Sequence, residues 1–488
     1  MYIKQLVVQN IKSFREATTF NFTPSLNFLV GNNNCGKSTI FEAITFIAGA
    51  KYDPQRLFSS GTSESNRVEI ILAGPHLRAR IETEQFSKLV DYLHADSDGD
   101  EVLRIERSSE VRQVQQSGRT PNTLDVKKIC FWHPERAQFE NPTGIDALFK
   151  ALIDFEAVWA DVAPVDTADF GATKTLGRLF ASATAPFYTT DVWRKFTEAH
   201  GAAFGATEDS MAGQAQSLAD ELGSLVREQY GPAGARFEFQ LPEPAAFVKS
   251  GSLQVDDNGI ETPLSDKGTG MQRAFALAII QLWARFSAQE SDGQKPLILL
   301  LDEPETWLHP VAQRRLADAL ATIAESQQVF VVTHSPYLLQ RFVGGEHELI
   351  AFGSRGESPR VSRSRDLGVG RGRNPSLGAI TYRAFGICSE EFHDELYGII
   401  AAHLSGPDGT AEAKEREIDE LLVSKGLVAS YTWKRANGNS WQRTLPVYIR
   451  NTIHHPENRE NVPFTHEQLE ESTAALLSIV SSLALVAS

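Results

Sequence analysis

Cysteine is scarce in this chain: Cys35, Cys130 and Cys388 are the three in 488 residues. So few thiols exclude a disulfide scaffold and fit a reducing compartment. No apolar run reaches the ~20 residues that cross a bilayer. The nearest, 474–487, is interrupted by Ser478, Ser481 and Ser482 and reads as a closing bundle helix. The start, Met1-Tyr2-Ile3-Lys4, lacks the charged-then-apolar pattern of a secretory signal, so the expectation is a cytoplasmic protein without a membrane segment. Positive charge is in deficit as well, with 47 basic against 62 acidic side chains and a net charge of −15. That balance argues against indiscriminate nucleic-acid binding but leaves room for a local basic site. What is present, 42% apolar and 22% charged residues, describes an ordinary globular chain. At roughly 150 residues per domain it holds two to four domains.

Strand-like alternation opens the chain at Ile3, Leu6 and Val8, then Phe20 and Phe22, then 26–30. Further strands are expected at 68–72, 77–81 and 128–132. From 141 to 231 the apolar period turns helical (Ile145, Leu148, Phe149, Leu152; Leu218, Leu222, Leu225), with glycines and Pro186 cutting it into short helices. The pattern predicts a helical insertion, too broken for a long coiled-coil arm. Strands return at 235–240 and 252–255. A helix over 271–287, a strand at 297–301, a helix over 311–326 and a strand at 329–333 then predict a three-layer α/β core. Residues 353–375 read as a linker with six arginines against Glu357 and Asp366. From 376 to 488 helix signals dominate: Ser389 ahead of Glu390 and Glu391 is a helix start, and Thr465 with Gln468 forms a capping box.

The segment Gly31-Asn32-Asn33-Asn34-Cys35-Gly36-Lys37-Ser38 fits G-x-x-x-x-G-K-[ST] between a strand and an apolar helix. In that pattern backbone N–H groups of Asn32, Asn33, Asn34 and Gly36 wrap phosphates, and Thr39 is a further expected nucleotide contact. Lys37 reaches the β/γ oxygens, and the Ser38 hydroxyl faces Mg²⁺. The second half is Leu297–Leu301 followed by Asp302-Glu303-Pro304. Five apolar residues suit a buried parallel strand. Its end delivers Asp302 to the Mg²⁺ shell and Glu303 as a base or water-positioning group. His334 ends the next strand, where an imidazole can reach a γ-phosphate. Alone, the loop and the acids also read as turns and His334 as a structural histidine; together and in this order they predict an ATP site.

"VVQNIKSF", "GNNNCGKST", "LLLDEPETWLHP" and "VVTHSP" resemble the ABC-type ATPases of the SMC, RecF and OLD group, over residues 1–352. The resemblance implies a signature segment acting on a partner protomer's γ-phosphate. Its counterpart is Gly268-Thr269-Gly270-Met271-Gln272-Arg273, which points to Thr269, Gly270 and Gln272 as nucleotide contacts. Thr269 stands for the usual serine and Met271 for a glycine. Nucleotide sandwiched between two protomers follows, hence a homodimer or higher homo-oligomer. The family's glutamine-loop residue is open between Gln138 and Gln55.

Near the end stand Arg450, Asn451, His454 and His455. A guanidinium and an imidazole suit metal-free phosphodiester cleavage. On a regular helix His454 lies beneath Arg450 and His455 is turned away by ~140°, unless Pro456 distorts the helix. R-N-x-x-x-H, filled by Arg450, Asn451 and His455, resembles the signature of HEPN ribonucleases, helical bundles that cut RNA, often tRNA, across a dimer. The competing readings are local hydrogen bonding, an inactive HEPN-like dimerisation module, or a metal site of His454, His455 and Glu457. Lys434, Arg435 and Arg443, interleaved with Tyr431, Trp433 and Trp441, are candidate RNA contacts.

The expected architecture is therefore an α/β ABC-type P-loop ATPase core (1–352) with a helical insertion (141–231), an Arg-rich linker (353–375) and an all-α HEPN-like bundle (376–488). The expected function is an ATP-gated ribonuclease of antiphage defence. The alternatives are an ATPase sensor or scaffold for a separate effector, responding to a phage trigger, or a RecF-like DNA-maintenance ATPase.

Overall fold

A computed structural model describes residues 1–49, 64–115, 121–160, 169–171, 175–205, 207–232, 234–241, 244–249, 251–289, 295–355, 359–363, 375–405, 413–435 and 437–486. The chain divides into two compact units. One holds 1–160, 287–306 and 310–488; the other holds 161–286 and 307–309.

The first unit is built on a six-stranded sheet. Its strands are β1 (Leu26–Gly31), β2 (Asp154–Val158), β3 (Leu297–Asp302), β4 (Gln328–Val332), β5 (Glu348–Arg355) and β6 (Pro359–Arg363). The order is β2-β3-β4-β1-β5-β6. The β2/β3, β3/β4, β4/β1 and β1/β5 pairs are parallel, while β6 closes the edge antiparallel to β5. Every residue of β1, β3 and β4 is buried, which is why these strands read as largely apolar, with Asn27 and Gln328 hydrogen-bonded through their side chains. Helix α1 (Lys37–Ile47) leaves β1 through the Gly-rich loop and buries Ile40, Phe41, Ile44 and Ile47.

A seven-stranded antiparallel sheet lies in the same unit, with 2–9 paired between 67–73 and the edge strand 18–21. Gln328, buried, joins the two sheets. Its side chain accepts from Ile3 N (2.8 Å) and donates to the carbonyls of Ile3 (2.9 Å) and Thr23 (2.8 Å). Leu77–Ile81 is a short helix, not a strand. Leu77 and Ile81 are buried four residues apart, a helical period that five residues of alternating polarity conceal.

The second unit is largely helical and carries a small hairpin, Gln254–Asp257 with Ile260–Pro263. The helical insertion expected from 141 differs in extent from this unit, because Asp154–Val158 is β2, an edge strand of the main sheet. No strand forms over 235–240. The unit's long helix is α2 (Thr269–Gln289), whose Met271, Phe275 and Ile279 pack with Leu179, Val255 and Leu264.

The C-terminal part is α3 (Leu377–Phe385), α4 (Glu390–Leu404), α5 (Glu415–Ser424), α6 (Leu445–His454) and α7 (His466–Val486). It is not all-α: Tyr431–Lys434 and Ser440–Arg443 pair as a hairpin. Ser389 caps α4 by accepting from Phe392 N, and Thr465 and Gln468 bond reciprocally at the start of α7. Phe392, Leu396, Ile400, Val447, Leu476 and Val480 form the core of this bundle. Within the expected linker, 353–355 and 359–363 belong to β5 and β6, Arg363 pairing with Glu348 at 2.7 Å. Residues 356–358 and 364–374 lie outside the described residues.

Candidate functional site

Parallel strands put their carboxyl ends on one edge, where a ligand meets loops and helix starts. The register aligns Asp302 with Val332, and Val332 with Leu29. The loop after β1, the acids after β3 and His334 after β4 therefore converge on the same edge of three adjacent strands. Gly31 and Gly36 have φ of +144° and +99°. A Cβ on Gly31 would meet the Phe352 carbonyl at 2.3 Å, and one on Gly36 would press on Ser13 and Phe14 at 3.3 Å. The first glycine is thus required by both space and conformation, and the "NIKSF" turn lies directly against the second.

Lys37 Nζ donates to the carbonyls of Gly31 (2.9 Å) and Asn32 (2.8 Å), which holds the loop curled. Ser38 Oγ donates to Asp302 Oδ1 at 3.3 Å. A hydroxyl and a carboxylate joined this way offer the hard oxygen donors that Mg²⁺ takes, so the residues fit the cation. Asn32 and Asn33 border a cavity of about 720 Å³ beside His334. Asn34 takes a positive φ of 62°, and Thr39 is buried in the first turn of α1.

Glu303 also has a positive φ, +46°, strain of the kind that functional turns retain. Its Oε1 lies 3.6 Å from His334 Nε2. That nitrogen has no hydrogen-bond partner among the described residues. Burial, followed by the Lys37 charge, pushes the His334 pKa below its ordinary value, against the pull of Glu303. The imidazole is held as a neutral group facing the acids.

Sequence reasoning missed Glu305. It is buried, and its Oε1 accepts from Thr333 Oγ1 (2.6 Å), His334 N (2.9 Å) and Ser335 N (3.1 Å). Burial raises its pKa. It fixes the backbone that carries His334. Gln138, one glutamine-loop candidate, donates to Gln115 O (2.9 Å) and Glu140 Oε1 (2.8 Å) in the antiparallel sheet; Gln55 lies outside the described residues.

In the second unit, the Gln272 side chain donates to the carbonyls of Ser265 (3.0 Å) and Lys267 (2.8 Å), bracing the turn ahead of α2. Thr269 and Gly270 open that helix, and a Cβ on Gly270 would lie 3.3 Å from the Trp307 carbonyl.

In the C-terminal bundle, α4 and α6 share two rungs. Asp394 accepts from His454 Nε2 at 2.9 Å, and the Arg450 guanidinium sits 5.5 Å from the Tyr397 ring centre. Buried Asn451 accepts from Arg450 Nη1 at 3.4 Å. His455 caps α6 with φ −128° and ψ 58°. It faces Glu457 (3.4 Å) and the Trp433 ring (6.2 Å). No group of three His, Cys, Asp or Glu suited to a metal occurs among the described residues, so the His454/His455/Glu457 metal reading has no cluster behind it. The expected RNA contacts fare unevenly. Arg443 is committed to Glu415 (2.8 Å) and Asp419 (3.5 Å). Trp433 is buried, and Tyr431 packs on Tyr448 at 5.5 Å. Lys434 is exposed, and Arg435 lies over the Trp441 ring.

A phosphate loop and a strand-end acid at the carboxyl edge of a parallel sheet define a P-loop nucleotide-binding protein. The chain belongs to the family described as "AAA domain, putative AbiEii toxin, Type IV TA system", whose model matches residues 26–340. It is 24% identical to the Old nuclease of Escherichia phage P2 over 69% of this chain and 57% of that protein. It is also 32% identical to the OLD nuclease of Thermus scotoductus over 20% of this chain and 18% of that protein. The chain thus spans little more than half of the phage relative. A solved Smc head bound to the C-terminal winged-helix domain of ScpA is similar at 17% identity with a TM-score of 0.43, over 74% of this chain and 98% of that one. No described helix is long and apolar enough to cross a membrane.

Proposed function

We propose that this chain is an Mg²⁺-dependent ATPase whose nucleotide state governs its C-terminal helical module. Lys37 and the loop N–H groups hold the phosphates, Ser38 and Asp302 hold the cation, and Glu303 positions and deprotonates the attacking water. His334 contacts the γ-phosphate end. The signature segment at Thr269, Gly270 and Gln272 completes the site across a homodimer or larger assembly. The observation that carries this reading is the Ser38–Asp302 contact at 3.3 Å between the loop and the strand-end acid.

The module is proposed as a HEPN-like, metal-independent endoribonuclease, with tRNA as a candidate substrate and antiphage defence as its setting. Arg450 would stabilise the pentavalent phosphate, Asn451 would orient Arg450, and His455 would move the proton. The Arg450–Asn451 contact and the name of the phage relative, a nuclease, support it. The test is expression in cells with RNA analysed for breaks. Arg450→Ala and His455→Ala abolish cleavage, while His454→Ala, which loses only its bond to Asp394, leaves it. Toxicity and cleavage that survive both of the first two changes overturn the nuclease.

A second reading, an ATPase sensor or scaffold for a separate effector with an inactive module, is favoured by one observation. His455 is engaged with Glu457 and Trp433 at the end of α6. It predicts intact RNA for the purified protein alone.

A further inference from the structure

The nucleotide cavity has a wall that the ATPase motifs do not supply. Besides Asn32, Asn33 and His334 it is lined by Thr381 and Phe385 of α3 and by Ile387 just beyond that helix. Its volume, about 720 Å³, lies within the ordinary range for small-molecule sites. The Phe385 ring centre is 5.6 Å from that of His334, with the planes 36° apart. Glu305 fixes the His334 backbone through its N–H, yet the imidazole Nε2 has no hydrogen bond among the described residues to set the ring's rotation. The Phe385 ring is the aromatic neighbour of that imidazole, tilted against it.

Phe385 is itself held from the helical bundle. Ser376 caps α3 by accepting from Ala379 N and also bonds Glu395 of α4. Gly378 lies so close to α4 that a Cβ there would meet Phe392 Cβ at 2.9 Å. Tyr382 packs on Phe392 with ring centres 5.3 Å apart. Gly386, at φ +71°, ends the helix immediately after Phe385. Helix α3 therefore has one end built into the bundle core and the other against the candidate γ-phosphate sensor.

We propose that Phe385 is a positioning residue of the nucleotide site, holding the His334 imidazole toward Glu303, and that α3 is the physical link between nucleotide turnover and the C-terminal module. This rests on the ATPase reading above. A ring free to rotate away from Glu303 lowers the chemical step while leaving phosphate binding by the loop intact, so the effect falls on kcat and spares KM.

The test is steady-state ATP hydrolysis by the full chain with Mg²⁺, alongside nucleotide affinity and thermal unfolding. The variants are Phe385→Leu, Phe385→Tyr, His334→Ala and the Phe385→Leu/His334→Ala pair. Leucine keeps apolar volume and removes the ring; tyrosine keeps the ring. Phe385→Leu is expected to lower kcat about tenfold with KM and affinity within about threefold, and Phe385→Tyr to stay within about twofold of wild type. In the His334→Ala background the leucine change adds nothing, because the group it positioned is gone. An unchanged kcat in Phe385→Leu, a loss confined to KM, or the same fractional loss with and without His334 overturns the proposal. A wild type that neither binds nor hydrolyses ATP removes the ATPase reading as well, whereas normal turnover in both Phe385→Leu and wild type removes only this inference.

Discussion

Ser38 Oγ lies 3.3 Å from Asp302 Oδ1, although 264 residues separate the two in the chain. The contact ties the start of α1 to the end of β3 across the intervening strand β4, and brings a hydroxyl and a carboxylate together beside the phosphate-loop motif. Lys37 stands one residue away with its ammonium on the loop carbonyls. A charge-assisted bond to phosphate is worth about 1.5–3 kcal/mol, or roughly ten- to a hundredfold in affinity. Lys37→Ala should weaken ATP binding by that factor in calorimetric titration. Asp302→Asn should remove most of the dependence of binding on Mg²⁺.

Glu303 sits at the turn after β3 with its carboxylate toward His334. Glu303→Gln keeps size and hydrogen bonding but removes the base. Hydrolysis should drop about 10²–10⁴-fold while ATP binding persists. Rapid-quench and nucleotide-retention measurements separate the two; turnover at the wild-type rate rejects the assignment of Glu303.

Glu305 performs a structural task beside the chemistry. Its Oε1 takes three hydrogen bonds from Thr333, His334 and Ser335. Glu305→Ala strands those donors in a buried site, each costing about 1–3 kcal/mol. Glu305→Gln retains an acceptor oxygen. Chemical denaturation should therefore show a clear loss for alanine and a smaller one for glutamine, with hydrolysis falling in both as His334 shifts.

His393 makes the bundle acid-sensitive. It is fully buried with Nε2 2.8 Å from Ser472 Oγ, and burial takes its pKa from 6.5 to about 4. Between those values the unfolded chain binds the proton and the folded chain does not. The contribution to stability is complete above about pH 6.5 and is lost as pH falls toward 4, at roughly 1.4 kcal/mol for each pH unit crossed. Denaturation midpoints across pH 7.5 to 5 should fall more steeply for wild type than for His393→Gln, which cannot titrate.

How much was legible follows from how local each feature is. The phosphate loop, the acidic strand end and His334 could be read because each is a short segment whose neighbours in sequence are its neighbours in space. The caps at Ser389 and Thr465 are local too. Glu305 was not legible, since its partners lie 28 to 30 residues on. Nor was Phe385, whose contact with His334 arises only when α3 packs on the sheet. The arginine-rich stretch looked like a linker by composition, yet Pro359–Arg363 pairs with β5 as an edge strand, a place that tolerates Pro and charge because, among the described residues, no strand pairs with its other side. The bundle's polar partners were hidden by distance as well: Asp394 is 60 residues from His454.

In the proposed coupling, nucleotide at the Lys37–Asp302 site switches on RNA cleavage at Arg450. The most direct measurement incubates the purified full chain with total cellular RNA and Mg²⁺, with and without ATP, beside Arg450→Ala. Discrete RNA breaks that require ATP and vanish in Arg450→Ala are the predicted result. RNA left intact while the same preparation hydrolyses ATP would contradict it.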